Sequence, residues 1–421
     1  MSDIAINKLN KTETYLLETA LDKRSQNPDI MSACYYISAL HRLDLSLPCE
    51  LLKALLPNLH VDDQLLRYTH GLMMELKSGR KGLVTRHAMI ANIIFEQKQS
   101  PAQCYTEIIN ATQNSRAYFI ARILHTLHML GENYLGELFS VAAIRFPFAA
   151  CFSQMHAILA KEQGDVKKAR ELFEKAGQAD PKNAQVWQAW AILEKEQGDV
   201  KKARELFEKA GQADPKDAQV WHEWAIFEFE RNNIGNLETK YTGRWLFHKA
   251  TLVNSSDVII WQAWAVKEFE QNNIGTVETE YSARWLLQRA SQIDPQSVHV
   301  WQAWAVLEKK LKRWPHAECY FLRAAEYSRE PKVKSRIYFD LYMMFFRIDE
   351  HKSEGYLVKS VEANPEDSIA HARLAKLYGF QSKWDESEKH FQISLNLKPD
   401  DEKTKKWYEN MLQTQKRYRK R

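Results

Sequence analysis

Four tryptophan pairs, Trp187/Trp190, Trp221/Trp224, Trp261/Trp264 and Trp301/Trp304, recur along the chain, the first two separated by 34 residues and the later ones by 40. Indole is largely apolar, so a pair that returns at fixed spacing has to be buried the same way each time. A chain of like packing units does that; a single irregular core does not. The recurrence extends well beyond tryptophan. Lys161–Trp187 and Lys195–Trp221 are identical except that Asn183 stands where the later copy has Asp217. The two longer intervals share an extension, RNNIGNLETKYTGRW and QNNIGTVETEYSARW, which reads as about six residues inserted between two helices of a 34-residue unit.

Each unit reads as a helical hairpin. Trp187, Trp190, Ala191 and Glu194 fall at i, i+3, i+4 and i+7, one face of a first helix. Gln197-Gly198-Asp199 breaks it: glycine supplies the C-terminal turn and Asp199 can cap the next helix. Ala203, Leu206, Phe207 and Ala210 mark that second helix, and Asp214-Pro215 ends it, because the residue before proline disfavours helix. Small Ala191 and Ala203 let the two helices approach closely, while the tryptophans and Phe207 fill the space between neighbouring units. Each buried tryptophan contributes at most about 4–6 kcal/mol, from its area at ~25 cal/mol per Å².

At these residues the chain resembles the tetratricopeptide (TPR) superfamily, and within it the half-a-TPR (HAT) class and RNA-associated TPR proteins. Trp187, Trp190, Ala191, Ala203, Phe207, Ala210 and Pro215 fall in TPR register, whereas Glu194 stands where TPR usually has an aromatic. The tryptophan pair, that glutamate and Ala203-Arg204 are HAT-like marks. The resemblance implies an all-α, right-handed α-solenoid of stacked helical hairpins. Carrying the register outward gives about eight units across residues 116–399, beginning near Phe119, Ser153, Trp187, Trp221, Trp261, Trp301, Ile337 and His371. Within units, Glu194 with Arg204, Glu228 with Arg244 and Glu268 with Arg284 are expected to link the two helices, a pairing that weakens at Ala160/Arg170 and fails at Glu308/Glu318. The other reading has these arginines facing a groove and meeting phosphates.

Residues 1–115 contain none of the 13 tryptophans. Their apolar spacing is still helical, as in DDQLLRYTHGLMMEL, which Asp62 or Asp63 could cap, and TRHAMIANIIFEQ, so they read as further hairpins closing the N-terminal end of the array. At the other end, residues 400–421 read as a capping helix running into a frayed basic tail, Lys416, Arg417, Arg419, Lys420 and Arg421.

Composition and motifs exclude much. No apolar run is long enough to span a membrane, and the first residues lack the apolar core of a signal peptide, so a cytoplasmic protein is expected, or a nuclear one in a eukaryote. The five cysteines include no CxxC pair, which argues against a metal cluster. Residues 401–421 hold eight Lys/Arg against three Asp/Glu and so carry the whole net charge of +5, leaving residues 1–400 neutral. No phosphate-binding glycine loop, nucleophile elbow or HExxH motif occurs, and His125 and His128, at i and i+3, have no third ligand nearby. No enzyme activity, cofactor, metal or small-molecule substrate is expected.

The candidate binding residues come from the resemblance, which places the residue after the first tryptophan on the concave face. That row is Gln154, Gln188, His222, Gln262 and Gln302; a second, three residues beyond an Ile/Val row, is Lys161, Lys195, Phe229, Phe269 and Lys309. Amides beside apolar and cationic neighbours suit splayed bases, with lysine on phosphate. The plainer reading is that duplication copied the glutamine. Two functions follow: a groove for single-stranded RNA in RNA processing or transcript stabilisation, or a scaffold holding a peptide or helix of a protein partner. HAT arrays also assemble by dimerising, so a homodimer is a further expectation.

Overall fold

The computed structural model describes residues 28–57, 73–76, 82–85 and 101–419, which fall in two compact units, residues 1–215 and 216–421. The first unit opens with α1 (Pro28–His41) and α2 (Cys49–Leu55). A two-stranded antiparallel ribbon follows, β1 (Met73–Leu76) and β2 (Gly82–Thr85), with Met73 opposite Thr85. This corrects the all-helical reading of that stretch: Met73–Leu76 pairs as a strand. Asp62 and Asp63 lie outside the described residues. Next come α3 (Pro101–Ala111), α4 (Ala117–Met129), α5 (Leu135–Arg145), α6 (Ala150–Glu162), α7 (Val166–Ala179), α8 (Ala184–Gln197) and α9 (Val200–Ala213). A core of Ile37, Tyr105, Ile108, Leu124, Phe139 and Phe152 joins α1 to α3–α6, and the Tyr105 hydroxyl donates to the Ala39 carbonyl at 3.0 Å.

The second unit holds α10 (Ala218–Glu230), α11 (Gly243–Val253), α12 (Val258–Glu270), α13 (Ala283–Ile293), α14 (Val298–Lys310), α15 (Trp314–Tyr327), α16 (Pro331–Phe345), α17 (Glu350–Ala363), α18 (Ser368–Phe380), α19 (Trp384–Leu397) and α20 (Glu402–Arg419). Helices from α4 to α19 pair consecutively into hairpins, and hairpins stack on their neighbours within each unit. Local chemistry sets the ends. Gly198 adopts the left-handed conformation (φ 82°) that closes α8, and Asp199 caps α9 by accepting from the Lys202 amide at 3.0 Å. Asn183 and Asp217, the single difference between the two near-identical segments, make the same cap to Gln185 and Gln219. Helix α20 continues to Arg419, so Lys416 and Arg417 are exposed on a helix and not on a frayed tail. Lys420 and Arg421 lie outside the described residues. Among the described residues no helix is long and apolar enough to cross a membrane, and no three His, Cys, Asp or Glu side chains gather to hold a metal.

The inserted residues form loops, 231–242 and 271–282, pinned in the same way twice. Asn273 donates to Glu268 Oε2 (2.8 Å) and to the Tyr281 carbonyl (3.2 Å); Asn233 does the same to Glu228 and Tyr241. Tyr241 and Tyr281 take left-handed φ values of 63° and 58°, held there by stacking on Trp224 and Trp264.

The ion pairs run between hairpins, which corrects the expected pairing within them. Arg170 of α7 grips Glu194 of α8, Arg244 of α11 grips Glu268 of α12, and Arg284 of α13 grips Glu308 of α14. Each guanidinium meets both carboxylate oxygens, 24 residues away. Glu308, expected to have lost its arginine, has one. All three glutamates are buried (Glu268 fully), and two of them also accept from the indole four residues before them: Trp190 to Glu194 at 2.8 Å and Trp264 to Glu268 at 3.0 Å. Burial works to raise the Glu194 carboxyl, but the bonds from Arg170 and Trp190 overcome it and hold the group below its ordinary value.

A second buried polar contact is neutral. His371 Nδ1 and His390 Nδ1 lie 2.8 Å apart, and His371 Nε2 faces the Pro365 carbonyl at 3.0 Å. A carbonyl only accepts, so His371 carries its proton on Nε2 and His390 must donate from Nδ1. Burial, then the neighbouring His371 and Lys389, push His390 down to about 4; burial also lowers His371. A histidine held neutral in the fold leaves the unfolded chain binding more protons. Its stabilisation is therefore full above the ordinary value of 6.5 and is lost as pH falls toward 4. The urea midpoint of the native chain should drop from pH 7 to pH 5 by more than that of His390→Gln; equal drops would show that the pair does not titrate.

Candidate functional site

In the second unit a groove of roughly 330 Å³ runs between α12 and α14. Gln262, Val266 and Phe269, at i, i+4 and i+7, form one wall; His299, Gln302, Val306 and Lys310 form the other. Small Ala265 and Ala303 keep the floor low, and Leu287 of α13 closes it from below. Val306 is 43% exposed, and the Lys310 ammonium sits 4.8 Å over the Phe269 ring. The groove is apolar inside with amides, the Lys310 ammonium and the exposed Glu270 carboxylate around it, an arrangement that takes an apolar side chain and can hydrogen-bond a backbone beside it.

The groove brings together Gln262, Phe269 and Gln302 from the predicted rows. The others are placed differently. Gln188 and Lys195 are half-buried on α8. Gln154 donates to the Gln185 carbonyl at 3.4 Å, and Gln262 to the His299 carbonyl at 3.3 Å, so these amides tie one hairpin to the first turn of the next. Lys161 is held by Glu196 at 2.7 Å. Lys309 is half-buried beside Asp340, whose carboxyl burial raises against the pull of Lys309 and Arg336.

His222 and Phe229 are corrections: both are buried, at 5% and 4% exposure, and present no surface to a ligand. His222 packs on Phe247, and burial lowers its imidazole. Phe229 turns inward because Gly243 has no side chain; a Cβ there would lie 2.4 Å from the ring. At the matching place α13 has Ala283, which leaves no such room, and Phe269 stays in the groove. His299 and Lys310 were not anticipated, although they share the face of Gln302 at three and eight residues' distance.

No curated protein matches the sequence. Solved structures with a similar arrangement include PilF of Pseudomonas aeruginosa, 15% identical over 56% of this chain and 97% of that one (TM-score 0.38). Yeast Tom70 is 16% identical over 77% of this chain and 66% of that one (TM-score 0.43). A family model for the tetratricopeptide repeat matches residues 160–222, which span α7 to the start of α10.

Proposed function

We propose that this chain is a non-enzymatic scaffold that holds an apolar segment of a partner protein in the groove between α12 and α14. The observation that carries the reading is the exposed Val306 facing Val266 and Phe269 across a groove lipped by Gln262, Gln302 and Lys310. Buried apolar anchors within a polar rim are what peptide-binding grooves use. Single-stranded RNA is the weaker reading. The amide row is interrupted at His222, Gln154 lies outside the groove with one amide N–H on the Gln185 carbonyl, and Lys161 is held by Glu196. Phosphate contacts dominate RNA affinity, and residues 1–400 carry no net charge to supply them.

A photo-crosslinking residue at position 306 should capture a discrete protein that survives nuclease. Val266→Glu with Val306→Glu, both at accessible positions, should reduce capture by at least about tenfold without moving the unfolding midpoint. Release of every partner by nuclease would return the groove to RNA, and a crosslink to a second copy, matched by a dimer in light scattering, would make the partner the chain itself.

A further inference from the structure

A second cavity, of roughly 350 Å³, opens in the same unit where α20 leaves the last hairpin. Its floor is Phe391 of α19 and Met411 of α20, both buried, and its walls are Trp384, Trp407 and Phe380. Gly379 keeps the back wall thin: a Cβ there would already press on Ser387 Oγ at 3.3 Å and Met411 Cγ at 3.4 Å. Phe380 stands at the opening, 73% exposed. A ring so exposed beside a floor of buried carbon is an incomplete apolar contact.

Charge surrounds the opening unevenly. The Trp407 ring carries three cations, the Lys376 ammonium at 4.6 Å, the Arg373 guanidinium at 5.1 Å and the Lys403 ammonium at 5.2 Å. Among the described residues none of the three forms an ion pair. Indole attracts each cation, but three like charges around one ring repel one another, and a bound anion would relieve that. Lys376 of α18 lines the cavity, and Arg373 of α18 and Lys403 of α20 join it at the Trp407 ring, so anions are favoured beside that wall.

We propose that this cavity binds a bulky apolar side chain of an acidic partner segment, whose flanking carboxylates meet Arg373, Lys376 and Lys403. The site is separate from the α12/α14 groove and does not depend on its occupant. A peptide fits better than a membrane surface because Glu402 and Glu409, exposed on α20, would repel a flat anionic layer.

The test uses the full chain and a short fluorescein-labelled acidic peptide with a central tryptophan, read by anisotropy. Binding should weaken at least about tenfold when the central residue is alanine, and again in Lys376→Glu or Phe380→Ala, with circular dichroism unchanged. Val266→Glu with Val306→Glu should leave it unaltered. No binding, equal binding of a lysine-flanked peptide, or indifference to both variants would overturn the proposal. So would loss of binding in the groove variant, which would place the peptide between α12 and α14. Binding of phosphatidylglycerol vesicles in place of the peptide, sensitive to Lys376→Glu, would overturn it in favour of lipid.

Discussion

Glu268→Ala should lower the unfolding free energy of the second unit by about 3–5 kcal/mol, the loss typical of removing one partner from a buried charge pair. Glu268 is fully buried and collects four bonds: two from Arg244 at 2.7 Å each, one from Trp264 at 3.0 Å and one from Asn273 at 2.8 Å. Alanine leaves a guanidinium, an indole N–H and an amide facing a cavity, and it also frees the loop that Asn273 pins. For a unit of this size the change corresponds to a fall in melting temperature of about 6–20 °C. Glu268→Gln keeps the shape and one acceptor oxygen but loses the charge, so its loss should be smaller, about 1.5–3 kcal/mol. Thermal unfolding of the three proteins orders them; an alanine variant within about 1 kcal/mol of native would mean that water takes over the glutamate's bonds.

The hairpins were legible because burial repeats with the sequence: the tryptophan pairs, Gly198 and Asp199 state where each helix turns. The ion pairs were equally legible and were misread. From glutamate to the following arginine the interval grows from ten residues (Glu194 to Arg204) to sixteen (Glu228 to Arg244), because the insertion falls inside the hairpin. From arginine to the next glutamate it stays at 24 in both kinds of unit. A contact kept in both kinds of unit has to be the one whose spacing the insertion leaves unchanged, and that one joins neighbouring hairpins. The ribbon was missed because a short apolar run such as Met73–Leu76 has no period long enough to separate strand from helix. Ser78, Gly79 and Gly82, turn formers close behind it, were the usable signal.

The candidate groove was half legible. Helical register puts Gln262, Phe269 and Gln302 on one surface, but register alone treats Phe229 and Phe269 as equivalent. What separates them is one methyl group on the opposing helix, Gly243 against Ala283, and that can be judged only when the two helices are seen packed. His222 likewise shares the register of the glutamines yet is buried against Phe247. A repeat therefore fixes which face a residue is on more securely than whether it reaches solvent.

Trp264→Ala should cost at least as much as the loss of Glu268, at the upper end of the 3–5 kcal/mol range for deleting a core aromatic, and it should also change how the unit unfolds. The indole is fully buried, stacked on Phe247 at 5.8 Å and on Tyr281 at 5.4 Å, and it bonds Glu268. One ring thus joins α11 of the preceding hairpin, the inserted loop and the ion pair. In stacked repeats stability is a sum of unit and nearest-neighbour terms, so a weak interior unit uncouples what lies on either side. Urea unfolding should therefore broaden, with a lower apparent m-value or two separated transitions, because α14–α20 no longer melt together with α10/α11. Trp264→Phe keeps the stacking and should lose only the bond to Glu268. Trp304→Phe is the control: its buried indole nitrogen has no hydrogen-bond partner, so the substitution should cost less than at Trp264. A Trp264→Ala protein that unfolds in one transition with native m-value would show that the hairpins are coupled through other contacts than this ring, and that the recurring tryptophans fill space without joining one hairpin to the next.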